Sequence, residues 1–434
     1  MLFSNKKRIA LISVHGDPAI EIGKEEAGGQ NVYVRHVGES LAQQGWQVDM
    51  FTRRVSPDQP AIVEHGPHCR TIRLIAGPQE FIPRDEIFEF LPEFVQAFLD
   101  FQQQLEAPYS LVHTNYWLSS WVGMELKKRQ PLKQVHTYHS LGAVKYKSVS
   151  TIPLIAKTRL AVEKTLLETA DRVVATSPQE KEHMRSLVSQ GGNIDIIPCG
   201  TNVAHFGSVN REAARQSLGI APEEKLVLYV GRFDPRKGIE TLVRAVRRSA
   251  LWETGSLKLF IGGGSRPGHS DGHERDRIEE IVAELGMQGM VHFPGRLSPE
   301  ELPTYYAAAD VCVVPSHYEP FGLVAIEAMA CGTPVVASDV GGLQFTVVSE
   351  ETGLLASPKD AAAFAEAIDR ILSDADWRAQ LGQAARQRVQ AKFSWDGVAS
   401  QLGRLYNHLL EQPAAERKPA ADKKPAVSLS QVSA

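Results

Sequence analysis

The sequence predicts an α/β protein made of two doubly wound domains in tandem, facing each other across a cleft. Three observations carry this prediction. Apolar runs of strand length alternate with helix-period segments along most of the chain, which is the pattern of parallel sheets. The series occurs twice, and 434 residues are too many for one ordinary core. The composition, 43% hydrophobic and 23% charged, is that of a globular protein.

In the first half the strand candidates are 8–14, 47–52, 111–115, 134–139, 172–177 and 194–198. In the second they are 225–231, 257–263, 290–295, 311–316 and 334–338. Each precedes an amphipathic segment such as QNVYVRHVGESLAQQG or GIETLVRAVRRSA. The break falls between about Gly200 and Pro222, giving a first domain at 1–204 and a second at 205–390. A helix at 391–412 is expected to cross back to the first domain. Residues 413–434, rich in Ala, Pro, Lys and Ser with no apolar period, read as a disordered tail.

The net charge of -4 gives no basis for a nucleic-acid partner. Cys69, Cys199, Cys312 and Cys331 lie far apart without a CxxC pair, which fits a reducing, cytoplasmic setting and no structural zinc. The apolar run Ile9 to Val14 is too short for a signal peptide and reads as a first buried strand, and no stretch approaches a membrane span.

In open parallel sheets ligands bind beyond the carboxyl ends of the strands, so residues just after strands carry the chemistry. After the first strand, Gly28-Gly29-Gln30 opens a helix; paired glycines there let backbone amides approach an oxygen-rich ligand, or simply make a turn. The segment is not GxGxxG directly after a strand, which weighs against a nicotinamide-dependent oxidoreductase. In YVGRFDPRKGIE, Arg232 and Lys237 stand at a helix N-terminus. Two cations there oppose the helix dipole by ~0.3–1 kcal/mol each, unless a diphosphate reverses the sign. Solvated surface cations are the alternative.

The stretch SHYEPFGLVAIEAMACG places Glu319 before an apolar helix and Glu327 within it, with seven residues between them. Glu327 would be poorly solvated unless hydrogen-bonded, and sugar hydroxyls suit it. Glu319 could receive ligand hydroxyls while the amides of Phe321, Gly322 and Leu323 meet anionic oxygens. The bland alternative makes Glu319 a helix cap and pairs Glu327 with a core arginine. The string Asp374-Ala375-Asp376 is explained by helix capping rather than metal binding.

GRFDPRKG, EPFGLVAIEAMACGTPVVAS, Gly341-Gly342 and ETGLLA together resemble the retaining nucleotide-sugar glycosyltransferases with two Rossmann-like domains, the GT-B fold. The resemblance covers the chain apart from the tail. It implies that Arg232 and Lys237 bind the donor diphosphate, Glu319 the donor sugar and Glu327 the ribose. It also sets His139 beside the reacting centre, Arg296 in the stretch that holds the base, and Gly28 and Gly29 against the donor; His139, Arg232, Lys237 and Glu319 would carry catalysis.

The first domain, through AGGQNVYVRHV, AGPQEFIPRDEIFEFLPEFV and TYHSLGAVKYK, is similar to the sucrose-phosphate synthase and sucrose synthase group. This implies transfer of glucose from UDP-glucose to fructose 6-phosphate, with no cofactor and no metal. Gly29 and Gln30 would meet the acceptor ring, and Arg84, Tyr116, Ser140, Lys145 and Arg159 its phosphate. Arg84 stands where a lysine is common, and Lys147 is an alternative to Lys145. Three cations in one pocket would be costly without an anion, which argues for a phosphorylated acceptor. Free fructose or inositol phosphate are the alternative acceptors. Without an appended phosphatase domain, a separate phosphatase would be the partner that removes the product phosphate. A catalytically dead nucleotide-sugar sensor is disfavoured by the intact His139, Arg232, Lys237 and Glu319.

Overall fold

A computed structural model describes residues 7–20, 28–148 and 151–412. The expected tail at 413–434 and residues 21–27 of the glycine-rich loop lie outside the described residues. The first sheet contains β1 (Arg8–Ile12), β2 (Gln47–Arg53), β3 (Ile62–Gly66), β4 (Cys69–Leu74), β5 (Leu111–Asn115), β6 (Lys133–Thr137), β7 (Arg172–Ala175) and β8 (Ile194–Ile196). Their order is β3-β4-β2-β1-β5-β6-β7-β8. The second contains β9 (Lys225–Val230), β10 (Leu257–Gly262), β11 (Val291–Gly295), β12 (Val311–Val314), β13 (Val335–Ser338) and β14 (Gly353–Ala356), in the order β11-β10-β9-β12-β13-β14. Every pairing is parallel except that of β3 with β4. Two doubly wound parallel domains are thus present, as the alternation of segments predicts.

Three strands escape the sequence pattern. β3 is an edge strand with alternate residues exposed, and β14 has four residues. β4 interleaves Arg70 and Arg73 with apolar residues. Its arginines are tolerated because Arg70 Nε donates to Asp49 Oδ1 at 2.6 Å and Arg73 Nε to Asp17 Oδ2 at 2.8 Å. Those partners are remote in sequence, so the local pattern gives no sign of them. The strand expected at 134–139 ends early, because His139 has φ +59 and leaves the sheet.

The chain crosses from the first sheet to the second after β8 and returns beyond the helix Ala375–Lys392. At the return, Thr201 N donates to Phe393 O at 2.7 Å, and Thr201 and Ser394 form a parallel bridge. The helix Trp395–Glu411 then packs on the first-domain helix Gly29–Gln43. Trp395 stacks on His36 at 5.3 Å and meets Tyr33 edge-on at 5.9 Å, while the Tyr406 hydroxyl and His113 Nδ1 share a buried hydrogen bond of 2.6 Å.

Several buried histidines tie stability to pH. Burial pushes His113 and His139 down to about 3, His65 to about 4, and His15 and His136 well below the ordinary range. In the unfolded chain each titrates near ~6.5, so below that pH the unfolded state binds more protons than the folded one. Their contribution is therefore present above pH ~6.5 and lost as the pH falls. The thermal midpoint should drop between about pH 7.5 and 5, with up to ~1.4 kcal/mol lost per pH unit for each of His15, His113, His136 and His139, and less for the half-buried His65, which solvent screens. A midpoint unchanged over that range would contradict neutral burial.

Candidate functional site

Crevices open where the strand order reverses, here beside β1/β5 and β9/β12. The loops after those four strands, with that after β6, carry most of the candidate residues.

On the second domain, β9 leads into Gly231-Arg232-Phe233. The buried Tyr229 donates its hydroxyl to Arg232 O at 3.1 Å, which fixes this turn and leaves the Arg232 side chain exposed. Asp234 accepts from Arg236 N at 2.9 Å, capping the short turn Pro235–Lys237. Gly238 follows at φ +70, and a Cβ there would fall 2.1 Å from Pro315 O, so only glycine lets this loop press on the loop after β12. His317 N completes the contact by donating to Arg236 O at 2.8 Å.

That proximity brings Lys237 Nζ to Glu319 Oε2 at 2.6 Å, joining the expected diphosphate cation and sugar carboxylate in one partly buried ion pair. Gly322, at φ +95, caps the helix Leu323–Ala330. The first bond of that helix runs from Ala325 N to Gly322 O, leaving the N–H groups of Leu323 and Val324 ahead of it at the N-terminus. The Phe321 ring is buried against Phe393 at 5.7 Å, so it offers the cleft its backbone. Glu327 accepts from the Tyr306 hydroxyl at 2.9 Å; burial raises its pKa and this bond opposes the rise. Its partner is thus a tyrosine, not the core arginine weighed as an alternative. Arg296 is exposed beyond β11, the outer strand of this sheet.

On the first domain, Gly28 caps the helix Gly29–Gln43, and Gln30 Nε2 donates to Ser13 Oγ at 2.9 Å. A methyl group built on Gly29 would lie 3.2 Å from Leu323 Cδ1, so the two helix N-termini meet across the cleft. Among the described residues only five non-glycines have positive φ, and two of them, Tyr116 (+72) and His139 (+59), follow the neighbouring strands β5 and β6. Such strain costs ~1–3 kcal/mol per residue and persists where the surroundings enforce it. His139 Nε2 lies 2.9 Å from Asn115 Oδ1, and its ring meets Tyr33 edge-on at 4.8 Å.

At the expected phosphate pocket, one cation is already paired within the protein. Arg159 is fully buried: its Nε donates to Glu163 Oε1 at 2.7 Å, one terminal nitrogen to the Tyr116 hydroxyl at 3.0 Å and the other to Ser140 O at 2.6 Å. Its charge is met by Glu163, and its other donors hold Tyr116 and Ser140 in place. The charge argument then rests on Arg84, exposed and 5.6 Å above the Tyr116 ring, and Lys145. Burial, with Arg159 and Arg84 nearby, pushes Lys145 down to about 8.

Three neighbours were not anticipated. His15, after β1, lies 4.6 Å from the Tyr116 ring, with Nδ1 buried and without a hydrogen-bond partner. Tyr318, in the loop after β12, has Ser140 and Leu141 of the first domain as neighbours across the cleft, and burial raises its pKa. Asn115 holds His139. The signal available for His15 and Tyr318 was their place after a strand beside a proline turn, HGDP and HYEP. Arg53, also buried, donates to Pro78 O at 2.6 Å and Glu80 O at 2.5 Å, holding the loop that leads to Arg84.

Asp374 caps the helix Ala375–Lys392 through Trp377 N, the role expected for the Asp-Ala-Asp string. Among the described residues no three His, Cys, Asp or Glu side chains gather as a metal site, and no helix is long and apolar enough to cross a membrane.

The glycosyl transferase 4-like domain model matches residues 28–200 and the glycosyl transferases group 1 model residues 210–388. D-inositol 3-phosphate glycosyltransferase of Corynebacterium efficiens is 36% identical over 411 residues, 92% of this chain and 95% of its own. The chain belongs to the glycosyltransferases of GT-B fold and is an enzyme of that class. Within the class it is similar to sucrose-phosphate synthase from Thermosynechococcus elongatus, at 55% identity and a TM-score of 0.86 over 93% of this chain and 99% of that one. Anabaena HepE, solved with UDP and glucose, shares the fold at a TM-score of 0.72 and 20% identity over 92% of this chain and 99% of that one.

Arg159→Ala would leave Glu163 buried and unpaired, so it should cost ~3–5 kcal/mol in chemical denaturation, against under ~1 kcal/mol for Arg84→Ala at the surface. Equal, small losses would mean that Arg159 is not structural.

Proposed function

We propose that the chain transfers glucose from UDP-glucose to fructose 6-phosphate with retention at the anomeric carbon, giving sucrose 6-phosphate and UDP. The observation that carries this reading is the facing of two charge clusters across one cleft. Arg84, Lys145 and Tyr116 stand on the first domain, and the Lys237–Glu319 pair at a helix N-terminus on the second. The 55% likeness to sucrose-phosphate synthase supports the choice of acceptor.

In this reading the diphosphate lies against Arg232, Lys237 and the amides of Phe321, Gly322 and Leu323, with Gly28 and Gly29 opposite. These groups meet the negative charge that grows as the glycosidic C–O bond breaks, and no metal is assigned a part. Glu319 orients the transferred glucose, Glu327 the ribose, and Arg296 borders the base. The acceptor ring lies on Gly29 and Gln30, with its phosphate at Arg84, Tyr116, Ser140 and Lys145. The acceptor hydroxyl attacks from the face the diphosphate leaves, and its proton passes to the departing phosphate oxygen. A separate phosphatase would then remove the product phosphate.

A second reading keeps the donor and replaces the acceptor with an inositol phosphate. It is favoured by the 36% identity to D-inositol 3-phosphate glycosyltransferases. Product analysis from a matrix of UDP-, ADP- and GDP-glucose against fructose 6-phosphate, fructose and inositol 3-phosphate distinguishes them; turnover of the inositol phosphate alone would overturn the first reading.

Lys237→Ala and Arg232→Ala should lower kcat by ~10²–10³ with any acceptor. Lys145→Ala should instead raise KM for the phosphorylated acceptor at least ~10-fold, the loss of one charge-assisted bond, and spare any turnover with free fructose. Because burial and nearby guanidinium groups push Lys145 down to about 8 and a bound phosphate favours its protonated form, that KM should rise as the pH passes above 8. A KM flat to pH 9 would remove Lys145 from the acceptor site.

A further inference from the structure

Asn115, the last residue of β5, is buried at 1% exposure, and its amide has only one workable orientation. Its Nδ2 lies 3.4 Å from Ile12 O and 3.3 Å from His113 O. Reversing the amide would set its oxygen against two carbonyl oxygens. Oδ1 therefore faces His139 Nε2 at 2.9 Å, and an oxygen acceptor at that distance requires a proton on the nitrogen. A neutral imidazole carries one N–H, so Nδ1 keeps its lone pair. No protein group among the described residues hydrogen-bonds that nitrogen.

We infer that Asn115 is a positioning residue: it fixes His139 as the Nε2–H tautomer and leaves Nδ1 as an acceptor for a substrate hydroxyl. The ring is otherwise held by its left-handed backbone and by the edge of Tyr33. The titratable groups around it are His15 after β1, Tyr33 on the helix Gly29–Gln43, His113 on β5 and His136 on β6. The three histidines are kept neutral by burial, and burial alone lowers His139, with no carboxylate acting to raise it. Held this way, Nδ1 can orient a hydroxyl but cannot donate a proton to the leaving oxygen. The hydroxyl contact rests on the proposed function; the tautomer does not depend on which sugar binds.

Long-range ¹H–¹⁵N spectra of the ¹⁵N-labelled full chain read the tautomer directly, with the His139 signals assigned by their loss in His139→Gln. The expected pattern is neutral Nε2–H, unchanged from about pH 7.5 to 5.5. An Nδ1–H pattern, or titration near ~6.5, would overturn the inference. In Asn115→Asp a carboxylate beside Nε2–H favours the imidazolium, so His139 should titrate between about pH 5 and 8 and kcat/KM should gain an acid limb there. A folded Asn115→Asp protein with wild-type spectra and a wild-type pH profile would equally overturn it. If Asn115→Asp does not fold, the wild-type spectra still decide. Absence of fructose 6-phosphate turnover in the wild type would count against the proposed function and leave the tautomer result standing.

Discussion

The cleft depends on one main-chain hydrogen bond, from Thr201 N to Phe393 O, where both chain crossings between the sheets run side by side. A single crossing would leave the two domains joined by a flexible connection. Two paired crossings, followed by a helix that buries Trp395 and Tyr406 against the first domain, decide which strand ends look at each other. The same junction supports the donor side directly, because Phe393 packs on Phe321 beneath the Glu319 loop.

With the strand ends facing, charge placement governs what the cleft can hold. Most ionised groups near it are already matched: Arg159 by Glu163, Arg236 by Asp234, Lys237 by Glu319. The buried Arg159–Glu163 pair is an anchor, since its remaining donors hold Tyr116 and Ser140. At Lys145, burial and nearby guanidinium groups depress the pKa, and a bound anion would relieve that. The strained backbones of Tyr116 and His139 belong to the same arrangement, with Arg159 bonded to the Tyr116 hydroxyl and Asn115 to the His139 ring.

Much of this was legible in the sequence because it is local. The alternation of apolar runs gives parallel sheets, and GRFDPRKG and EPFG encode tight turns whose glycines, Gly238 and Gly322, adopt positive φ. The strands of the β3–β4 hairpin were not legible, because the charges in β4 are cancelled by Asp17 and Asp49 from distant segments. Arg159 shows the same limit: the resemblance sets it at the acceptor phosphate, but its pairing with Glu163, one helical turn away, and its hold on Tyr116 and Ser140 appear only in the fold.

The sequence alone determined the fold class, the two-domain order and the placement of the candidate residues after strands. Those features follow from periodicity and turn chemistry, which act over a few residues. Only the tertiary structure decided that Lys237 and Glu319 pair, that Tyr306 rather than an arginine meets Glu327, that His15 and Tyr318 join the cleft, and that Asn115 sets the state of His139. Each of these is a contact between segments brought together by the sheets, and its energy depends on burial and distance, which no local pattern encodes.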